Sequence, residues 1–173
     1  MGNKLPKTGA ERMSASIGWH GMVTHLHITP RAFLPMQPQE AIELVAGEGI
    51  VGDRYRIGTE TGFYSEKPEE GRQVTLFEAE VLDAILRDYK MEILPEEHRR
   101  NVTTSGVPLN HLVGQRFRLG NCVVEATRLS IPCRHIEEIL GKPVFDPLVH
   151  RSGLNCKILE GGTLRVGDPI RPL

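Results

Sequence analysis

The spacing of apolar residues divides the chain into many short extended runs and one long helix. In GWHGMVTHLHI (18–28), Met22, Thr24, Leu26 and Ile28 fall on one side of a strand, and Val23, His25 and His27 on the other. RAFLPMQPQE (31–40) carries two prolines and reads as a loop, and AIELVAG (41–47) reads as a second strand. In RQVTLFEAEVLDAILRDYK (72–90) the period changes midway. Gln73 and Thr75 alternate with Val74 and Leu76, and then Phe77, Val81, Leu82, Ile85, Leu86 and Tyr89 recur at helical spacing. RRNVTT (99–104) predicts a short strand, and QRFRLGNCVVEATRLS (115–130) a hairpin about Leu119-Gly120-Asn121. A short helix is expected from Pro132 to Gly141, and GLNCKILEGGTLRVGDPI (153–170) reads as two strands about a Gly-Gly turn.

Short strands and tight turns without a repeating βαβ rhythm predict a mainly β fold with a few helices, a closed or nearly closed barrel. Residues 1–16 are polar and irregular and read as a flexible tail, leaving 17–173 as a single domain. GTETGFYSEKPEEG (58–71) is a polar loop long enough to serve as a lid. GEGIVG (47–52) has the spacing of a dinucleotide-binding loop. That site also needs a helix opening at the third glycine to hold the pyrophosphate, and DRYRIGTETG continues without helical period. These glycines are expected to serve as bends in β structure.

Charge narrows the function. A net charge of −1 and a pI of about 6.7 exclude a protein that coats nucleic acid through a basic excess. The cations are nonetheless skewed, fifteen Arg to six Lys, and the planar Arg fork suits phosphates and carboxylates. No apolar run approaches the roughly 20 residues of a membrane span, so no membrane partner is expected. MGNKLPKTGA lacks the apolar core of a secretory signal, and Pro6 stands where a myristoylation motif needs Ser or Thr. Three cysteines without paired spacing suit a reducing cytoplasm.

The cysteines differ in kind. Cys122 alternates with Val124 and Ala126, and Cys156 with Leu154 and Ile158, as inward-facing strand residues do. Cys133 follows Pro132 at the expected start of a helix, beside Arg134 and His135, where free N–H groups and positive charge favour a thiolate. Such a thiolate serves as a nucleophile or as a metal ligand. Zinc is not expected, since the cysteines lie 11 and 23 residues apart and Cys133 and His135 would leave a helix on different faces. A Cys-His pair stays open, with His20, His25, His27, His98, His111 or His150 as the base.

GIVGDRY (49–55), RQVTLFEAEVLD (72–83), RRNVTTSGVPLNHLVGQRFRLG (99–120), EATRLSIPC (125–133) and HRSGLNCKILEGGTLRVGDPI (150–170) occur in an order that resembles the MOSC domain family. That family is named for the C-terminal domain of molybdenum cofactor sulfurases. The resemblance spans residues 18–170 and implies a β-barrel and a functional thiol at Cys133. That thiol would ligate molybdenum held by a pterin, in an enzyme reducing N-hydroxylated or related small molecules. Alternatively it would carry sulfur as a persulfide for assembly of a metal–sulfur cofactor. Both roles suit a soft, low-pKa sulfur. The resemblance further implies Arg99, Arg100 and Asn101, with Thr103 nearby, as contacts to the pterin phosphate. Asp53 and Arg54 are further candidates or a pair bracing a turn, and Arg151 is another candidate. Asn101 also reads as a strand-end residue bonding its own backbone. Arg99 and Arg100, if adjacent in a strand, would face opposite ways, so that one reaches the site. The chain resembles the short stand-alone bacterial type, without room for a pyridoxal-phosphate desulfurase region, so that cofactor is not expected. Partners implied are a small-molecule substrate or cofactor, and redox or cofactor-assembly proteins.

Overall fold

The computed structural model describes residues 18–57 and 69–173. The tail expected over 1–16, and residues 58–68 of the expected lid, lie outside the described residues. Among the described residues, eleven strands occur in chain order: β1 (Gly21–Ile28), β2 (Gln37–Gln39), β3 (Ala41–Val45), β4 (Gly49–Ile50), β5 (Val74–Glu78), β6 (Val102–Ser105), β7 (Arg116–Leu119), β8 (Cys122–Leu129), β9 (Leu154–Glu160), β10 (Gly162–Arg165) and β11 (Pro169–Pro172). The same described residues form three α-helices: α1 (Ala79–Tyr89), α2 (Arg134–Leu140) and α3 (Phe145–Leu148).

Seven strands, in the order β11-β7-β8-β9-β5-β6-β1, close into a barrel through pairing of β1 with β11. The expected barrel and its β7–β8 hairpin are present, with Leu119 opposite Cys122 across the turn. Closure pairs each of these seven strands on both sides. It also gathers inward-facing residues from every strand, including Val23, Leu26, Leu76, Phe117, Val124 and Ile158, into one core. No helix among the described residues is long and apolar enough to cross a membrane.

Several local expectations are corrected. The alternation in β1 breaks at a bulge between Val23 and His25, so Val23 and Leu26 both face the core while Met22 is 47% exposed. The proline-rich segment after β1 is not all loop, because Gln37–Gln39 pairs with the end of β1 as an edge strand, where Pro38 is tolerated. The Gly161-Gly162 step does not make a hairpin. It sends β10 away from β9 to pair with β3, in a three-stranded sheet with β4, and β11 then returns to the barrel. Phe77 belongs to β5 and not to the helix. One βαβ crossover is present, since β5 and β6 run parallel and are joined through α1. Gly47, Gly49 and Gly52 all have positive φ, the bends expected of them.

A second core lies outside the barrel. Phe77 of β5, Val81 and Ile85 of α1, Ile136 of α2, and Val144 and Leu148 around α3 bury one another. Full burial of such an aliphatic side chain contributes about 1.5–3 kcal/mol. Ile136 thereby anchors the segment that carries Cys133 against the barrel wall.

Candidate functional site

At the junction of the barrel with α2 lies a hollow of about 170 Å³. Its lining divides by origin. The barrel rim supplies a polar wall with five arginines, Arg54, Arg72, Arg99, Arg100 and Arg128, together with Tyr55, Thr75, Ser130 and Asn155. Segments 32–33 and 131–139 supply an apolar wall in which Cys133 and His135 are set. Among the described residues no carboxylate lines the hollow.

A buried hydrogen-bonded frame holds the arginines. Asp53 accepts from Thr29 N (3.2 Å), Tyr55 N (3.1 Å) and Asn101 Nδ2 (3.0 Å), which fixes the turn carrying Arg54 and Tyr55. Burial raises the Asp53 carboxyl above its ordinary value, against the opposing effects of the Arg54 charge and these donors. Asn101 ties this turn to the barrel. Its Oδ1 accepts from Thr75 N (3.2 Å) and Thr75 Oγ1 (2.8 Å), and its Nδ2 also donates to the His27 carbonyl (3.2 Å). Arg54 reaches over to donate to the Arg99 carbonyl (3.0 Å).

The strand expected over 99–104 begins only at Val102, and Arg99 has a left-handed backbone with φ +61°. That twist cancels the alternation, so Arg99 and Arg100 both line the hollow. His98 stabilises the corner. Its Nδ1 accepts from Arg100 N (2.9 Å), which leaves Nε2–H to donate to Thr103 Oγ1 (2.8 Å), and its ring stacks on Phe77 at 4.2 Å. Burial, then the Arg100 charge, holds the His98 pKa well below the usual imidazole value, so the ring is neutral. The Arg100 guanidinium donates to Ser152 O (3.0 Å) and Oγ (2.8 Å).

Tyr55 lies between two cations, with Arg54 at 4.4 Å and Arg72 at 4.5 Å from its ring centre. Burial pushes its phenol up, but Arg54, Arg100 and Arg72 outweigh that and hold it below the ordinary tyrosine value. Arg128 donates from Nε to Glu69 (2.9 Å), whose carboxylate also pairs with Arg72 at 3.4 Å. With the Asn155 amide turned so that its nitrogen donates to Ser130, its oxygen accepts from Arg128 at 2.6 and 3.2 Å.

Cys133 is exposed and lines the hollow, while Cys122 and Cys156 are fully buried. Burial pushes the Cys122 thiol up to about 11 and raises that of Cys156 further. The expected helix start at Pro132 is corrected: α2 begins at Arg134, and Cys133 is its extended N-cap (φ −130°, ψ 153°). Because Cys133 is not helical, the helix-face argument that separated it from His135 does not apply, and both line the hollow. The His135 ring meets Phe33 edge-on at 4.2 Å.

The structure thus brings Arg54, Arg99, Arg100 and Cys133 into one cavity. Asp53, Asn101 and Thr103 sit behind its wall as buried frame residues. Arg151 lies elsewhere, donating to the Pro147 carbonyl (2.6 Å) beside Tyr89. None of the six histidines considered as partners for Cys133 lines the hollow. Sequence reasoning missed Arg72, Tyr55, Arg128, Ser130 and Asn155. A signal existed for two of these: Arg128 and Ser130 share a strand face that runs directly into Pro132-Cys133.

The family model for the MOSC domain matches residues 64–171. Among solved structures, the chain is similar to the YuaD protein from Bacillus subtilis, with 21% identity and a TM-score of 0.72 over 88% of this chain and 97% of that one. It is also similar to YiiM from Geobacillus stearothermophilus, with 12% identity and a TM-score of 0.66 over 88% of this chain and 75% of that one. YiiM from Escherichia coli gives 13% identity and a TM-score of 0.63 over 91% and 70% respectively. At these identities the likeness concerns the fold. No curated protein matches the chain in sequence.

Proposed function

Since the chain belongs to the MOSC domain family, we propose that it binds a molybdenum cofactor and reduces N-hydroxylated or related small molecules, with Cys133 as the protein ligand to the metal. The observation that carries this reading is the meeting of one exposed thiol with five arginines in a single hollow.

The residues fit the group. Among the described residues no cluster of three His, Cys, Asp or Glu could hold a metal ion. A lone soft thiolate therefore suits a thiophilic metal that brings its other ligands with it, as a pterin dithiolene does. The arginine forks suit a phosphate, and their charge is permanent because guanidinium does not lose its proton in proteins. Arg54 and Arg99, both buried, fix positive charge in the lining of the hollow, to which Arg72, Arg100 and Arg128 add theirs. Asp53, Asn101 and His98 act as positioning residues behind them. When bound, the cofactor would relay two electrons from an external donor, which together with two protons would cleave an N–O bond to N–H and water. In this reading residues 17–173 work as one unit.

A persulfide carrier would use the same thiol, but it would leave the arginine wall without a purpose. Expression in a cofactor-producing host separates the two. The oxidoreductase reading expects molybdenum and pterin to copurify, and an N-hydroxylated compound to be reduced when an artificial electron donor is supplied. Cyanide-labile sulfur on Cys133 with neither metal nor pterin would replace it with the carrier reading.

A further inference from the structure

The arginine wall already holds an anion of the chain's own. Glu69 is not part of the hollow's lining, but its carboxylate reaches two cations that are. Its Oε1 accepts from Arg128 Nε (2.9 Å) and from Arg128 Nη2, and its Oε2 meets Arg72 Nη1 at 3.4 Å. With the Asn155 amide turned as above, Arg128 Nη1 and Nη2 also donate to the Asn155 oxygen at 2.6 and 3.2 Å. Among the described residues, Glu69 and Asn155 thus take four of the five N–H groups of Arg128. The remaining Nη1–H cannot by itself make the two-point grip of an Arg fork on a phosphate. Arg128 grips a ligand's phosphate in that way only by giving up a partner.

The two partners differ in how readily they leave. Asn155 is buried and bonded to Ser130, so its oxygen would be stranded without Arg128. The Glu69 side chain is 39% exposed and can turn into water. The backbone beneath it is anchored. Glu69 precedes the 3-10 turn Glu70–Arg72, whose Gly71 carbonyl accepts from Thr127 Oγ1 of β8 (2.5 Å), and Gln73 N donates to the Cys156 carbonyl of β9 (2.9 Å). A swing of the Glu69 side chain therefore leaves the wall in place.

We propose that Glu69 is a resident counter-anion of the site, occupying the Arg128 fork until a ligand's phosphate group exchanges with it. This rests on the reading that the arginines hold a phosphate. Before the ligand arrives, Glu69 offsets the repulsion between Arg72 and Arg128. On arrival, its departure sets phosphate affinity below what the arginine wall alone would give.

The test titrates inorganic phosphate by calorimetry, at neutral pH and constant ionic strength, into the full chain purified from a host that makes no molybdenum cofactor. Glu69→Gln should tighten phosphate binding about fivefold, the upper range for an ion pair this exposed. Glu70→Gln removes the same charge one residue on, where the partner is Lys157, which does not line the hollow. It should change phosphate binding by less than about twofold. In an Arg128→Gln background, Glu69→Gln should lose most of its effect. Weaker phosphate binding by Glu69→Gln would make Glu69 a positioning residue for Arg128 and overturn the exchange. Equal effects of the Glu69 and Glu70 substitutions, or a Glu69 effect undiminished without Arg128, would overturn it too. No phosphate binding by any variant would strike the arginine cradle and the exchange with it. The predicted phosphate pattern, together with a wild type that carries no molybdenum from a cofactor-producing host, would strike the cofactor reading alone.

Discussion

Asn101 bears the most structural weight for its size, and Asn101→Ala measures it. Four side-chain hydrogen bonds would be lost, to Thr75 N, Thr75 Oγ1, the His27 carbonyl and Asp53 Oδ1. Thr75 Oγ1 keeps its bond from Asn101 N (3.1 Å), and Asp53 keeps the N–H groups of Thr29 and Tyr55. The Thr75 amide and the His27 carbonyl lose their Asn101 partner inside a wall where Asn101 itself is fully buried. At about 1–3 kcal/mol for each buried group deprived of a partner, the expected loss is about 4 kcal/mol. That is a large share of a domain stability of roughly 5–15 kcal/mol, and at about 2–4 °C per kcal/mol it lowers Tm by about 10 °C. Urea unfolding followed by Trp19 fluorescence reads this directly, since Trp19 is the chain's one tryptophan and packs edge-on against Phe117 in the barrel. Asn101→Asp replaces the donor facing Asp53 with a second carboxylate. It should be at least as damaging at neutral pH and partly relieved by acid. A loss below about 1 kcal/mol for Asn101→Ala would refute the frame argument, since a single unmet buried group already costs that much.

Three further outcomes follow from the same geometry. His98 is held neutral by a pKa depressed in the folded state, so the unfolded chain binds its proton first. The stability His98 contributes is present above the unfolded imidazole value and is lost as pH falls below about 6.5, at up to about 1.4 kcal/mol per pH unit. His27, lowered chiefly by burial, adds a slope of the same sign, and His98→Gln should remove its own part of the acid sensitivity in urea titrations from pH 7 to 5. In the native protein a disulfide reagent should titrate one thiol rapidly, Cys133, with Cys122 and Cys156 reacting only on unfolding; fast loss of two or three would contradict the burial. Gly153→Ala should unfold the protein or cost more than about 4 kcal/mol. Gly153 has φ +93°, and an added Cβ would lie 2.0 Å from the Leu76 carbonyl where β9 meets β5; a near-neutral thermal scan would contradict it.

Much of the fold is legible in the sequence because hairpins announce themselves locally. Alternation around Gly120-Asn121 and the switch of period after Leu76 both depend on near neighbours. Errors arose where a single residue breaks a period. The bulge in β1 puts Val23 and Leu26 on the same side, and the left-handed Arg99 turns two arginines inward that strict alternation would separate. The partner of β10 depends on distant chain, and nothing in Gly161-Gly162 says that β3 will claim it. For the site, Cys133 stood out because no period explained it, and Arg54, Arg99 and Arg100 followed from the family resemblance. Arg72 and Arg128 did not, because an arginine near a strand end reads like any surface cation until the strands are closed into a barrel. Asn101 and Thr103 share a segment with those arginines but face the barrel's hydrogen-bonded wall, a distinction only the register reveals.

The most direct test of the central claim is the molar ratio of molybdenum to protein for the wild type, Cys133→Ser and Cys122→Ser, all purified from one cofactor-producing host. Near-stoichiometric metal in the wild type and Cys122→Ser, with metal lost only from Cys133→Ser, is the predicted result. Metal retained in Cys133→Ser at the wild-type ratio would contradict a thiolate ligand at this position.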